Sequence, residues 1–216
     1  KAILTPLAAT LALAHEPLAG HEMVTFLTLR KVIPEGEIGT ELISKGLAAM
    51  APMLRRAPDP EGEEGFTLFH ASLRQHILET DSMRANVTIA LQAFAEAAVQ
   101  PDVEPGVANY LYRAGIDHLL DADKIDEARA RLLDLKHLGQ MFELGKANLD
   151  ILGYWLRIGD DDPGAKYVTA VKSFTDRALE ETDLLILRRV IELFMGAGWY
   201  SAGIDSAEIS VESHKR

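Results

Sequence analysis

The chain has 216 residues, 48% hydrophobic and 25% charged, with a formal net charge of −11 and no cysteine. That much apolar material builds a core and excludes a disordered chain. The acidic balance speaks against general affinity for nucleic acid or anionic lipid. The missing thiols exclude disulfides, thiolate zinc sites and cysteine nucleophiles, and suit a cytoplasmic setting.

The chain begins at Lys1, not methionine. Its apolar opening, Ile3 to Ala14, is too short for a membrane span, and His15-Glu16-Pro17 follows where a signal peptide would place small residues. The segment therefore reads as the interior of a longer polypeptide. Thr5-Pro6 reads as an N-cap and first helical proline, and predicts a helix over Pro6–Ala14. A second helix is expected over His21–Leu29. A third is expected over Ile38–Ala51, with Ile38, Leu42, Ile43, Leu47 and Met50 on one face.

Ala57-Pro58-Asp59-Pro60-Glu61-Gly62 cannot continue a helix, and Gly65 to His70 alternates in the manner of a strand. Two short strands around a loop after three helices are the layout of a winged helix. Further helices are expected from Ala71 (with Leu73, Ile77 and Leu78), over Met83–Val99, and, after a Pro101–Pro105 linker, over Val107–Leu120. Others follow over Lys124–Leu135, Leu138–Trp155, Ala165–Leu179 and Asp183–Gly196, and one starts at Gly198-Trp199-Tyr200. The expected fold class is mainly α: a winged-helix domain with a short β-hairpin near residues 52–70, then a helical-repeat-like array. The expected domains are residues 1–80, 81–190 and 191–216.

Three stretches carry a resemblance. They are Leu7-Ala8-Ala9 through His15-Glu16-Pro17-Leu18, Phe66 through Leu78, and Tyr110-Leu111-Tyr112-Arg113-Ala114-Gly115-Ile116-Asp117-His118-Leu119-Leu120 followed by Asp126-Glu127-Ala128. In this order they resemble the STAND NTPases, the signal-transducing class that includes NACHT and NB-ARC proteins. Leu193-Phe194 to Ala202 resembles the entry into their tetratricopeptide repeats. The resemblance implies that His70 contacts the β-phosphate of ADP held by an upstream nucleotide-binding domain in cis, which locks the resting state. Ala71 stands where many NB-ARC members have aspartate, and His70-Ala71-Ser72 looks more like bacterial NACHT relatives.

No Gly-x-x-x-x-Gly-Lys-Ser/Thr loop occurs in the chain. The segment is therefore expected to be non-catalytic and to hold no cofactor of its own, with ADP or ATP and Mg belonging to the full-length parent. The resemblance further implies a ligand sensed through downstream repeats, homo-oligomerisation on activation, and a role in signalling or antiviral defence. No nucleic acid or membrane partner is expected.

Other constellations have plainer readings. Asp160-Asp161-Asp162 lacks the spacing of a calcium loop and reads as a solvated turn. His15 and His21, like His70 and His76, are six apart and share no helical face as metal ligands would. His70, Ser72 and Asp81 have no nucleophile elbow around them. Trp155, Trp199 and Tyr200 read as packing residues, and Tyr110, Tyr112 and His118 as packing or capping groups. The alternatives are a helical-repeat scaffold that binds a protein without nucleotide, and a winged-helix DNA-binding regulator. Against the latter, Lys45 on the third helix is set against Glu37 and Glu41, and Arg55 and Arg56 on the wing against Asp59, Glu61, Glu63 and Glu64.

Overall fold

A computed structural model describes residues 3–58, 64–100, 105–177 and 179–214. The expected acids Asp59, Glu61 and Glu63 and the linker residues 101–104 lie outside the described residues. The protein is mainly helical, with one small three-stranded sheet. Two compact units divide the chain, residues 1–123 and 124–216. No helix among the described residues is long and apolar enough to cross a membrane.

The first unit starts with α1 (Leu4–Leu13), a short strand β1 (Leu18–Ala19), α2 (Gly20–Leu29) and α3 (Glu37–Met50). The antiparallel strands β2 (Leu54–Pro58) and β3 (Glu64–Leu68) follow, then α4 (Ala71–Glu79), α5 (Arg84–Val99) and α6 (Ala108–Asp121). Pro6 sits inside the first turn of α1, where a missing N–H costs nothing, and the helix begins at Leu4 without a Thr5 cap. Leu7, Ala9, Leu11 and Ala12 of α1 are fully buried, as a helix apolar on nearly every side requires. Glu22 accepts from the Ala19 N–H at 2.8 Å and so closes the start of α2.

The sheet order is β1-β3-β2. Leu18 pairs with Phe66 and Leu54 with Leu68. Gly65 is needed at the centre: a Cβ there would lie 2.7 Å from the Pro17 Cβ. On α3 Ile43 and Met50 of the expected face are buried and Leu42 and Leu47 half-buried, while Ile38 is 64% exposed and Gly39 and Gly46 join the buried side. The glycines explain this: a Cβ on Gly46 would sit 2.9 Å from Leu7, so close approach selects their side of the helix. Phe26, Phe94 and Tyr110 meet edge-on or tilted and centre the core of this unit.

The second unit holds α7 (Ile125–Leu133), α8 (Leu135–Glu143), α9 (Asn148–Ile158), α10 (Pro163–Thr175), α11 (Glu181–Ala197) and α12 (Tyr200–His214). The single helix expected over Leu138–Trp155 is in fact two. Gly145 takes φ +91°, and the Lys146 and Gly145 N–H groups bond back to Met141 and Phe142 O at 2.9 and 3.1 Å. These are the paired bonds that stop a helix at a left-handed residue. Asp150 then accepts from the Ala147 N–H at 2.7 Å and starts α9. Tyr167, Phe194, Trp155 and Leu193 are buried at the centre of this unit.

Candidate functional site

His70 follows β3 by two residues and is the N-cap residue of α4, with extended backbone (φ −120°, ψ 134°). The β2–β3 pairing persists one residue past the strand, since the Phe69 N–H donates to Met53 O at 2.9 Å. That bond fixes the direction in which the chain leaves the sheet. The Leu73 and Arg74 N–H groups donate to His70 O at 3.1 and 3.2 Å, so the backbone of the corner is anchored. The imidazole is exposed and makes no side-chain hydrogen bond among the described residues, and the Phe69 ring, 60% exposed, stands edge-on to it at 4.6 Å. The first N–H groups of a helix carry partial positive charge and lack intrahelical partners. An exposed imidazole beside them suits an anion such as a phosphate oxygen.

A second constellation lies inside the same unit. Tyr110 and His118, both 0% exposed, meet at 2.7 Å between Oη and Nε2. Tyr110 Oη also accepts from the His15 backbone N–H at 3.3 Å, so the hydroxyl bridges the His15 backbone and the imidazole. His118 Nδ1 is a buried atom with no hydrogen-bond partner among the described residues. Phe94 stacks flat on the ring at 4.0 Å. Burial, reinforced by His15, pushes the His118 pKa down to about 3, so the ring is neutral. At its edge His15 Nε2 pairs with Asp121 at 2.8 Å, Arg113 Nε donates to Glu16 at 2.7 Å, and Arg74 Nε donates to Ala12 O at 2.6 Å.

The first two stretches that carry the resemblance and the Tyr110–Leu120 part of the third therefore meet in one unit, while Asp126-Glu127-Ala128 falls in the other. The first supplies Ala12, His15 and Glu16, the second Arg74, and the third Tyr110, Arg113 and His118. His70 stands apart, on the surface. Tyr110 and His118 were legible as packing residues. The Glu16–Arg113 pair, 97 residues apart, has no local signal that could have found it.

The remaining candidates resolve as follows. Asp160 is not simply solvated: its side chain is 2% exposed and binds Lys166 and, at 3.1 Å, Arg129. The Lys166 ammonium beside it holds its carboxyl below the usual range. Asp162 caps α10 by accepting from the Ala165 N–H at 3.0 Å, while Asp161 is exposed. No group of three or more metal-ligating side chains occurs among the described residues. Asp81 pairs with Arg84 and is committed there. On α3 Lys45 pairs with Glu41 at 2.6 Å, and on the hairpin Arg56 pairs with Glu64 at 2.8 Å. Trp155 is buried and donates to Tyr167 Oη at 3.2 Å, whereas Tyr200 is 59% exposed. No family model matches the chain, and neither a curated protein nor a solved structure matches it.

Proposed function

We propose that the chain is a regulatory, non-catalytic segment of a STAND signalling NTPase. In this reading it senses ADP in cis through His70 and couples ligand sensing by downstream repeats to oligomerisation. The observation that carries it is the placement of His70: exposed, without a hydrogen-bond partner, at the head of α4 and anchored by its own backbone. A histidine retained for packing would be covered or paired. The order α1-β1-α2-α3-β2-β3, with β3 central in the sheet, supports a winged helix, and the all-helical second unit supports a repeat-like array.

The lock is a matter of differential binding. ADP must favour the closed arrangement over the open one, and His70 adds a phosphate contact only when closed. The nucleotide-binding domain, ADP or ATP and Mg belong to the longer parent, and the setting is cytoplasmic signalling or defence. The exposed Leu149 and Leu156 of α9 favour a second reading, a helical protein-binding scaffold without nucleotide. Lys45 and Arg56, held by acids, weigh against a DNA-binding role.

The test is the full-length parent beside its His70→Ala variant, with retained nucleotide and mass measured after purification. The expected result is ADP retained by a monomeric wild type, and ADP lost with assembly in the variant. Identical nucleotide content and mass in both would reduce His70 to a structural residue and put the scaffold reading first.

A further inference from the structure

A cleft of about 470 Å³ opens in the second unit, bounded by the C-terminal ends of α9 and α11 and the loop before α10. Leu152, Trp155, Leu156, Pro163, Ala197 and Trp199 give it apolar walls. Leu156 is 83% exposed, and Leu149 on the same helix is 79% exposed. Positions 149, 152 and 156 share one helical face. An apolar stripe about 10 Å long therefore runs along α9 to the cleft.

The charged side chains that line it are acidic. Asp160 and Asp161 line the cleft and no basic side chain does. Lys166 and Arg129 bind and neutralise Asp160, which leaves Asp161, exposed and without a hydrogen bond or ion pair among the described residues, as the acid open to a partner. Both flanking helices end here, at Gly159 and Gly198 in the left-handed conformation, and a helix C-terminus carries partial negative charge. The chain as a whole carries −11. A cation at this place meets Asp161 and the two helix C-termini.

We infer that this cleft and stripe receive a helical segment of a partner protein, with apolar side chains at helical spacing and a lysine or arginine beside the last of them. The apolar side chains cover Leu149 and Leu156, and the cation sits at Asp161. The inference is independent of what the His70 corner binds, so either can fail without the other.

The chain contains two tryptophans, Trp155 and Trp199, and both line the cleft, so its intrinsic fluorescence reports on occupancy. The full chain is titrated with three tryptophan-free synthetic helical peptides of equal length. Each carries leucines at helical spacing, flanked by lysine, glutamine or glutamate. The lysine peptide is expected to give a saturable change in emission and to bind about tenfold or more tighter than the glutamate peptide, with the preference shrinking in high salt. Leu156→Asp, at an exposed position that leaves the circular dichroism unchanged, is expected to weaken it about tenfold or more. Asp161→Asn is expected to narrow the lysine-over-glutamate preference while the glutamine peptide binds as before. No saturable change with any peptide, equal binding of all three, or undiminished binding by Leu156→Asp would overturn the inference. Self-association of the chain that Leu156→Asp abolishes would also overturn it, by giving the surface to a second copy.

Discussion

Tyr110 holds two bonds that nothing else in its surroundings replaces. It accepts from the His15 N–H and shares a hydrogen bond with His118 Nε2. Tyr110→Phe keeps the ring against Phe26 and Phe94 but leaves both partners unsatisfied. A buried group without its partner costs about 1–3 kcal/mol. Tyr110→Phe is therefore expected to lower the stability of the first unit by that amount, read as a shift in denaturant midpoint at constant slope. An unchanged midpoint would mean that water or another group takes over the bonds. His70 presents the opposite case, since its exposed ring stands edge-on to Phe69 and makes no side-chain hydrogen bond among the described residues. His70→Ala is expected to leave the midpoint within about 0.5 kcal/mol of wild type, as surface changes do. Its effect, on this reading, falls on nucleotide retention, which separates function from stability at one residue.

The α7–α10 connection depends on one carboxylate. Asp160, in the loop between α9 and α10, binds Arg129 of α7 and Lys166 of α10. Asp160→Ala removes the acceptor from both cations, which stay partly exposed and can hydrate. The expected loss is about 1–3 kcal/mol, below the cost of stranding a fully buried charge. Asp160→Asn should recover part of it by keeping an acceptor oxygen. Thermal melts of the two variants check this, and equal stability of Asp160→Ala and wild type would refute it. Legibility at this scale follows from how local the signal is. Helix positions were readable because apolar periodicity and the Pro and Gly stops are written within a few residues, as at Gly159 and Gly198. The two-residue strand β1 was not, because Leu18 and Ala19 are a strand only by virtue of pairing with Phe66 and Gly65. The α8–α9 break was signalled by Gly145 and Asp150 and was overridden by the apolar run on either side. On α3 the expected face holds at Ile43 and Met50 and fails at Ile38, where hydrophobicity marks a residue that close packing of Gly46 on Leu7 leaves outside.

At the scale of the whole molecule, distant pairing decides what was legible of the site. His70 could be placed at a strand end from the alternation of residues 65–70. The clamp of His15, Glu16, Arg74 and Arg113 around Tyr110 and His118 joins segments up to about a hundred residues apart, and no periodicity announces it. The expected bounds at residues 80 and 190 follow composition and motif order, whereas the compact units follow packing, and α5 packs on α1. The same burial sets how the molecule responds to acid. His118 in the first unit is held at a pKa of about 3, and His137 in the second at about 4, in both cases first by burial. Each would titrate near 6.5 when unfolded. Between those values the unfolded chain binds more protons than the folded one, so stability falls as pH falls. The loss begins near pH 6.5 and continues to about 4 for His137 and about 3 for His118. Each histidine contributes up to about 1.4 kcal/mol per pH unit inside its window. Asp160 and Asp183, held low by Lys166 and Arg177, add losses of the same sign at the acid end, as pH falls through the ordinary carboxylate range. Urea unfolding at a series of pH values from 7 to 4 is expected to show a declining midpoint well above the range where carboxylates titrate. His118→Phe, which keeps a ring against Phe94, should flatten the upper part of that decline, even though it starts from lower stability because Tyr110 loses a hydrogen-bond partner. A wild-type midpoint that stays level down to pH 5 would show that neither imidazole is held neutral by burial.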